Sequence, residues 1–306
     1  MADVLHSEAR VLRELFVYSL LGAFLPLDEV DPFVSRIGRA MVDVHLHAGE
    51  IAYRQGDLTE QLFFVVTGEL ELNAEGAPSK RYNDRSVLVI DALLARPRAR
   101  TAVAATDVHL LTLEAETWFS ALEDSFEAAR GAIQRISQDV QALEIAARFE
   151  AAGERSETAA SAGPPPDHLA LVDRILALRN VDLLQRAHMQ AITMLADLAE
   201  EVRLVAGEPL LIGYEAEREV LLVVAGEIIV SDEQAREHSV LAGQLVGGTG
   251  SLAATLPRHH ARASVPSLLL RVRHDDYWDV LEEHVDLVRS ALFGLATARE
   301  RLRPTL

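Results

Sequence analysis

Only a few groups of side chains in this sequence have the types and spacing to do chemistry. Arg96, Arg98 and Arg100 form its one dense basic cluster, and guanidinium groups pair with phosphate or carboxylate. The run from Gly243 to Gly250 carries Gly247, Gly248 and Thr249, and such glycines can turn successive backbone N–H groups toward an anion. It lacks the Lys-Ser/Thr that a nucleoside-triphosphate loop requires after its glycines. His259 and His260 with His274, Asp275 and Asp276 are a candidate metal set, and His45 alternates with His47. These histidines lack a helical i, i+4 spacing and no His-Glu-x-x-His occurs, so scattered surface positions and no metal are expected. No Ser-His-Asp, paired-carboxylate or cysteine chemistry is recognisable, the last because cysteine is absent. The residues point to anion binding, not catalysis.

Charge narrows the partners. The net charge is −18, which repels a polyanion whose binding depends on cation-driven counterion release, so nucleic-acid binding is not expected. A composition 49% hydrophobic and 25% charged reads as a globular protein. The longest apolar stretch, Leu15 to Leu27, is too short to span a bilayer and contains Pro26, so membrane insertion is not expected. The acidic N-terminus, with Asp3, Glu8 and Glu14, has no basic leader pattern. With no cysteine to oxidise, a cytoplasmic location is the expectation.

The elements that must position these groups occur twice. Ala48-Gly49-Glu50 recurs as Ala206-Gly207-Glu208, and Val65-Val66-Thr67-Gly68-Glu69 as Val223-Val224-Ala225-Gly226-Glu227. Pro97-Arg98 pairs with Pro257-Arg258, and Trp118-Phe119 with Tyr277-Trp278, at separations of 158 to 160 residues throughout. Ordered matches at near-constant offset make a duplication. The Ser/Ala/Gly/Pro stretch ending in Pro164-Pro165-Pro166 cannot form a core. It divides the chain into domain 1 (1–150), a linker (151–167) and domain 2 (168–306).

Within each copy, helical periodicity leads into short Val/Leu/Phe-rich runs broken by glycines, such as Leu62 to Val66 and Val220 to Val224. Gly49, Gly56, Gly68, Gly207 and Gly226 are expected to be structural turn residues with φ > 0. Gly213 stands one place before the position matching Gly56, which Tyr214 occupies, so that turn differs. Each copy closes with an amphipathic helix, Ala115 to Arg148, broken near Asp124, and Asp275 to Leu302.

Ala-Gly-Glu, Gln55-Gly56-Asp57, Thr67-Gly68-Glu69, Pro97-Arg98-Ala99 and Thr106 to Leu111, in this order, resemble the framework of cyclic-nucleotide-binding domains. Leu195 to Val202 running into Ala206-Gly207-Glu208 resembles the same family. The resemblance implies a mainly β fold with flanking helices: two tandem β-barrels of jelly-roll type, each with N-terminal and C-terminal helices. In that family a short helix and its loop hold a cyclic phosphate, a Gly-Glu pair opens the cassette, and the Glu accepts the ribose hydroxyl. An Arg about eight residues on pairs with the phosphate, and a small residue follows it.

Carried onto this sequence, the resemblance makes Arg98 the phosphate anchor of domain 1, with Ala99 and Thr101 behind it. Leu88 and Val89 stand where Gly and Glu belong, and Asp91 is the nearest acid. In domain 2, Gly247 matches the opening glycine, Gly248 or Thr249 replaces the Glu, and Arg258 matches the Arg but is followed by His259 and His260. A hydrogen bond to a charged group is worth about 1.5–3 kcal/mol, so a missing Glu weakens binding roughly ten- to a hundredfold. The expectation is therefore a non-catalytic regulatory or scaffolding protein that binds no cofactor beyond weakly held cAMP or cGMP. The alternative is a genuine cAMP or cGMP sensor working through Arg98. The terminal stripes, Leu122, Phe126, Ala129, Ile133 and Ile136, and Leu281, Val285, Val288, Leu292 and Leu295, offer a surface for a protein partner or self-association. Packing against their own domain is the other reading of them. No helix-turn-helix is expected after the last helix, which argues against a DNA-binding regulator.

Overall fold

The computed structural model describes residues 13–14, 17, 27–150, 165–212, 219–231, 236–253 and 259–302. The chain falls into two compact units, 1–132 and 133–306. The stretch expected as the linker lies largely outside the described residues, as do Gly213, Tyr214 and Arg258.

In the first unit, α1 (Leu27–Ala40) precedes β1 (Val42–Leu46), β2 (Ile51–Tyr53), β3 (Gln61–Thr67), β4 (Leu70–Ala74), β5 (Ala77–Tyr82) and β6 (Val87–Leu88). A one-turn helix α2 (Ile90–Leu93), β7 (Thr101–Ala104), β8 (Val108–Glu114) and α3 (Ala115–Asp124) follow. Helix α4 (Phe126–Glu150) comes next, and its residues from Ile133 group with the second unit. The strands form two antiparallel four-stranded sheets, ordered β1-β8-β3-β6 and β2-β7-β4-β5. The expected jelly-roll is thus present, as a two-sheet sandwich.

The continuous apolar run of β3 is explained by burial on both faces. Phe63 and Val65 enter the sandwich interior with Tyr53, Leu70, Leu72, Leu88, Ala102 and Leu110. Phe64, on the other face, lies 6.5 Å from the ring of Trp118, which also meets Phe33 of α1 edge-on at 6.1 Å.

The second unit repeats this plan. After α5 (Leu171–Arg179), a 3₁₀ turn (Asp182–Leu184) and α6 (Met189–Leu198) come β9 (Glu200–Leu204), β10 (Pro209–Ile212), β11 (Glu219–Ala225) and β12 (Glu227–Ser231). Then follow β13 (Glu237–Leu241), β14 (Leu245–Val246), a 3₁₀ helix (Gly248–Leu252), β15 (His259–Ala263) and β16 (Ser267–Arg273). The sheet orders, β9-β16-β11-β14 and β10-β15-β12-β13, are those of the first unit strand for strand. Helices α7 (His274–Glu283) and α8 (Val285–Leu302) close the unit. The single terminal helix expected here is broken at His284, as the first copy is at Ser125.

Two glycines show why the repeat keeps them. Gly68 and Gly226 both have φ of +91°, and a Cβ would stand 2.3 Å from the Asp107 carbonyl oxygen or from Ser267 Oγ. Gly49, Gly56 and Gly207 also have positive φ, with no atom near the missing side chain.

A carboxylate clamps the N-terminal part of each unit at one shared strand position. On β1, Asp43 accepts from Arg13 Nε at 2.9 Å and lies 2.8 Å from His109 Nε2. Burial works against its charge, but the His109 and Arg13 hydrogen bonds hold the carboxyl below its ordinary range. On β9, Glu201 accepts from the Leu169 N–H at 3.0 Å and from Arg174 and Arg203. The Leu169 N–H lowers the Glu201 carboxyl most; burial opposes it, and Arg203 and His168 add to the lowering.

The closing helix is taken up inside its own unit. Leu281, Val288, Leu292 and Leu295 are buried, while Val285 is partly exposed. A Cβ on Gly294 of α8 would meet the Asp182 carbonyl oxygen at 2.6 Å, so helix and 3₁₀ turn touch backbone to backbone. In the other stripe Leu122, Ala129 and Ile133 are buried, and Phe126 and Ile136 half-buried.

His274 corrects the expectation of scattered surface histidines. It is buried and accepts the indole N–H of Trp278 on Nε2 at 3.0 Å. His45 stacks on His109 with ring centroids 4.3 Å apart. Among the described residues no group of three or more His, Asp or Glu is placed to hold a metal ion, and no helix is long and apolar enough to cross a membrane.

Candidate functional site

Both copies place a turn of helix after a two-residue strand, β6 or β14, at the mouth of the sandwich. Leu88 pairs with Phe63, and Val246 with Leu221, in the same register. The positions therefore correspond as Leu88 to Val246, Val89 to Gly247, Ile90 to Gly248 and Asp91 to Thr249.

In the first cassette the backbone of Arg98 is fixed first. Its N–H donates to the Asp57 carbonyl and its carbonyl accepts from the Gly56 N–H, each at 2.9 Å. The β-turn carrying Gly56 is thus what holds the arginine in place. Its side chain turns into the protein and is only 3% exposed. The guanidinium lies 4.2 Å from the centroid of Tyr53 and 5.1 Å from that of Phe63, and it donates to the Gln61 carbonyl. Cation–π contact and one backbone acceptor thus replace water around the charge. Burial lowers the Arg98 pKa, while Tyr53, Asp91 and Asp57 oppose that shift. The same desolvation raises the Tyr53 phenol, which stays neutral.

Asp91, in the first turn of α2, is the other half of this cassette. One carboxylate oxygen accepts from the Ala99 N–H at 3.3 Å, and the other from Arg96 Nε at 2.7 Å. Thr101 begins β7 and accepts the Gln55 N–H on its hydroxyl at 3.0 Å. Leu88 is buried in the interior cluster and Val89 is half-buried, with no acid at either place.

The second cassette is built differently. Gly247 (φ 83°) and Gly248 (φ 63°) are both in the left-handed region, and a 3₁₀ helix replaces α2. The Thr249 N–H donates to Glu144 Oε2 of α4 at 3.2 Å. The interior beside it is aliphatic, with Leu221 where the first copy has Phe63, and Val223, Ile228 and Val246 around it.

Of the residues singled out from sequence, Arg98, Ala99 and Thr101 gather around the Asp57–Asp91 region, and Gly247, Gly248 and Thr249 form one bend. Arg258 is outside the described residues; His259 and His260 begin β15, paired with Ile212 and Leu211. Sequence reasoning missed Tyr53, Phe63, Gln141 and Glu144. Nothing local marked them, since β3 is apolar on both faces and β2 shifts register between Ile51 and Tyr53.

Residues 43–125 match the family model described as cyclic nucleotide-binding domain. The first sandwich is a cyclic nucleotide-binding domain. The second repeats its strand order and its pairing at β6 and β14, so the chain carries the fold in tandem. No curated protein matches the chain. Among solved structures it is similar to the regulatory subunit of a cAMP-independent protein kinase A from Trypanosoma brucei, at 14% identity and a TM-score of 0.37, covering 91% of this chain and 89% of that one. The regulatory domain of Toxoplasma gondii PKA with cAMP matches at 14% identity and a TM-score of 0.33, covering 97% of each chain. The sensor domain of the transcriptional regulator DNR from Pseudomonas aeruginosa matches at 15% identity and a TM-score of 0.37, over 41% of this chain and 91% of that one. At such scores the assignment rests on the family match and the strand order.

Proposed function

We propose that the protein is a non-catalytic regulatory or scaffolding module whose first cassette binds cyclic nucleotide weakly or not at all, and whose output is a contact with another protein. One observation carries this reading: the groups that would meet a cyclic phosphate are already engaged by the chain. Arg98 is buried against Tyr53, Phe63 and the Gln61 carbonyl, and the Ala99 N–H is taken by Asp91. A phosphate would have to displace one carboxylate and draw out one buried cation. Each such charged hydrogen bond is worth about 1.5–3 kcal/mol, so each displacement weakens binding roughly ten- to a hundredfold. Leu88 and Val89 supply no acceptor for a ribose hydroxyl.

Calorimetric titration of the full chain with cAMP, cGMP and cyclic dinucleotides tests this. The expected result is no binding tighter than about 100 μM, near −5.5 kcal/mol, with measurable tightening in Asp91→Ala. Micromolar binding that disappears in Arg98→Ala would overturn the proposal in favour of a sensor acting through Arg98.

A further inference from the structure

The bend of the second cassette meets a helix that begins far away in sequence. Gln141 and Glu144 stand one turn apart on α4, on the face that also carries the buried Ile133, Ser137 and Val140. Residues 133–150 and the bend belong to one compact unit. Glu144 accepts the Thr249 N–H. A Cβ on Gly250 would lie 2.1 Å from Gln141 Nε2 and 2.5 Å from its Cδ, so the Gln141 side chain lies where that Cβ would stand. Thr249 is 8% exposed and its hydroxyl makes no hydrogen bond, so this polar place is closed to water.

We propose that the Gln141–Glu144 turn is a tethered occupant of this bend: Glu144 supplies the carboxylate that a free anion would otherwise bring. The second cassette is then a receptor for the chain's own helix, not for a nucleotide. Two features specify the fit. The left-handed glycines, Gly247 and Gly248, turn the following N–H toward the carboxylate, and Gly250 leaves room beside it for the amide side chain of Gln141. The contact is a latch, because losing Glu144 frees the helix turn and the bend together. It does not depend on how the first cassette treats nucleotides.

Hydrogen exchange on the full chain reads the latch directly. In Glu144→Ala the Thr249 amide is expected to exchange roughly tenfold faster or more, together with amides from 137 to 150. Glu144→Gln should fall between, since its amide oxygen still accepts but without charge. Gly250→Ala, which pushes Gln141 away and leaves Glu144 in place, should loosen the same two segments. Unchanged exchange at both segments in Glu144→Ala and Gly250→Ala would overturn the proposal. So would loosening spread through β11 and β16, which would make Glu144 a general packing residue.

Discussion

The two cassettes start from one strand register and reach the same end by different routes. In the first, Asp91 takes the N–H of Ala99, eight positions further along the chain. In the second, Thr249 stands at that position, and its own N–H takes a carboxylate from Glu144, 105 residues away. The backbone follows the chemistry: Val89 (φ −117°) opens an α-helical turn, whereas Gly247 (φ 83°) opens a 3₁₀ turn. The interiors diverge in step, with Arg98 against the rings of Tyr53 and Phe63 in one and an aliphatic cluster in the other. The difference teaches that a scaffold can keep its shape while an anion-seeking loop is satisfied from within.

Three experiments break or sharpen this comparison. The largest effect belongs to what the copies share. Gly68→Ala and Gly226→Ala should each cost about 3 kcal/mol or more in urea unfolding, because positive φ and a clash with fixed neighbours combine. Gly49→Ala and Gly207→Ala, with strain alone, should cost about 1 kcal/mol. Equal losses at all four sites would show that close approach has no part in the turns.

Arg98 comes next, and it belongs to the first copy alone. Arg98→Ala should destabilise the first unit by about 2–4 kcal/mol, since it empties the space over two rings and strips the Gln61 carbonyl of its donor. An arginine waiting in solvent for a ligand would change stability by no more than about 0.5 kcal/mol.

The smallest effect is acidic and common to both copies. Asp43 and Glu201 have folded pKa values below their ordinary ones. Each therefore adds stability that is complete above the ordinary carboxylate value, about 4. That stability is lost as pH falls through the lower, folded value. Asp43→Asn and Glu201→Gln should each flatten the fall in urea midpoint between about pH 5 and pH 3, and a limb left unchanged in both would remove the clamps from the account.

The repeat, the glycine turns and the strand runs were legible because each is written locally. A glycine at a fixed offset or an apolar run of strand length needs no knowledge of the other half of a sheet. The break at His284 was not, since Leu281 to Leu295 keep a helical stripe across it. His274 read as a surface residue because its partner Trp278 lies one turn along a helix whose buried face only the fold decides. Arg98 was found, but its direction was not: an arginine reaches outward or inward with equal ease, and Tyr53 and Phe63 decide. Glu144 gave no signal, because its partner depends on tertiary packing alone.

The duplication has also left one tryptophan in each half. Trp118 packs among Phe33 and Phe64, and Trp278 among His274 and Tyr277, and the chain has no others. The molecule therefore carries two optical reporters in unlike surroundings, one beside two phenylalanine rings and one hydrogen-bonded to an imidazole. Replacing either with phenylalanine leaves the remaining emission to speak for a single half, so the melting of each can be followed without cutting the chain.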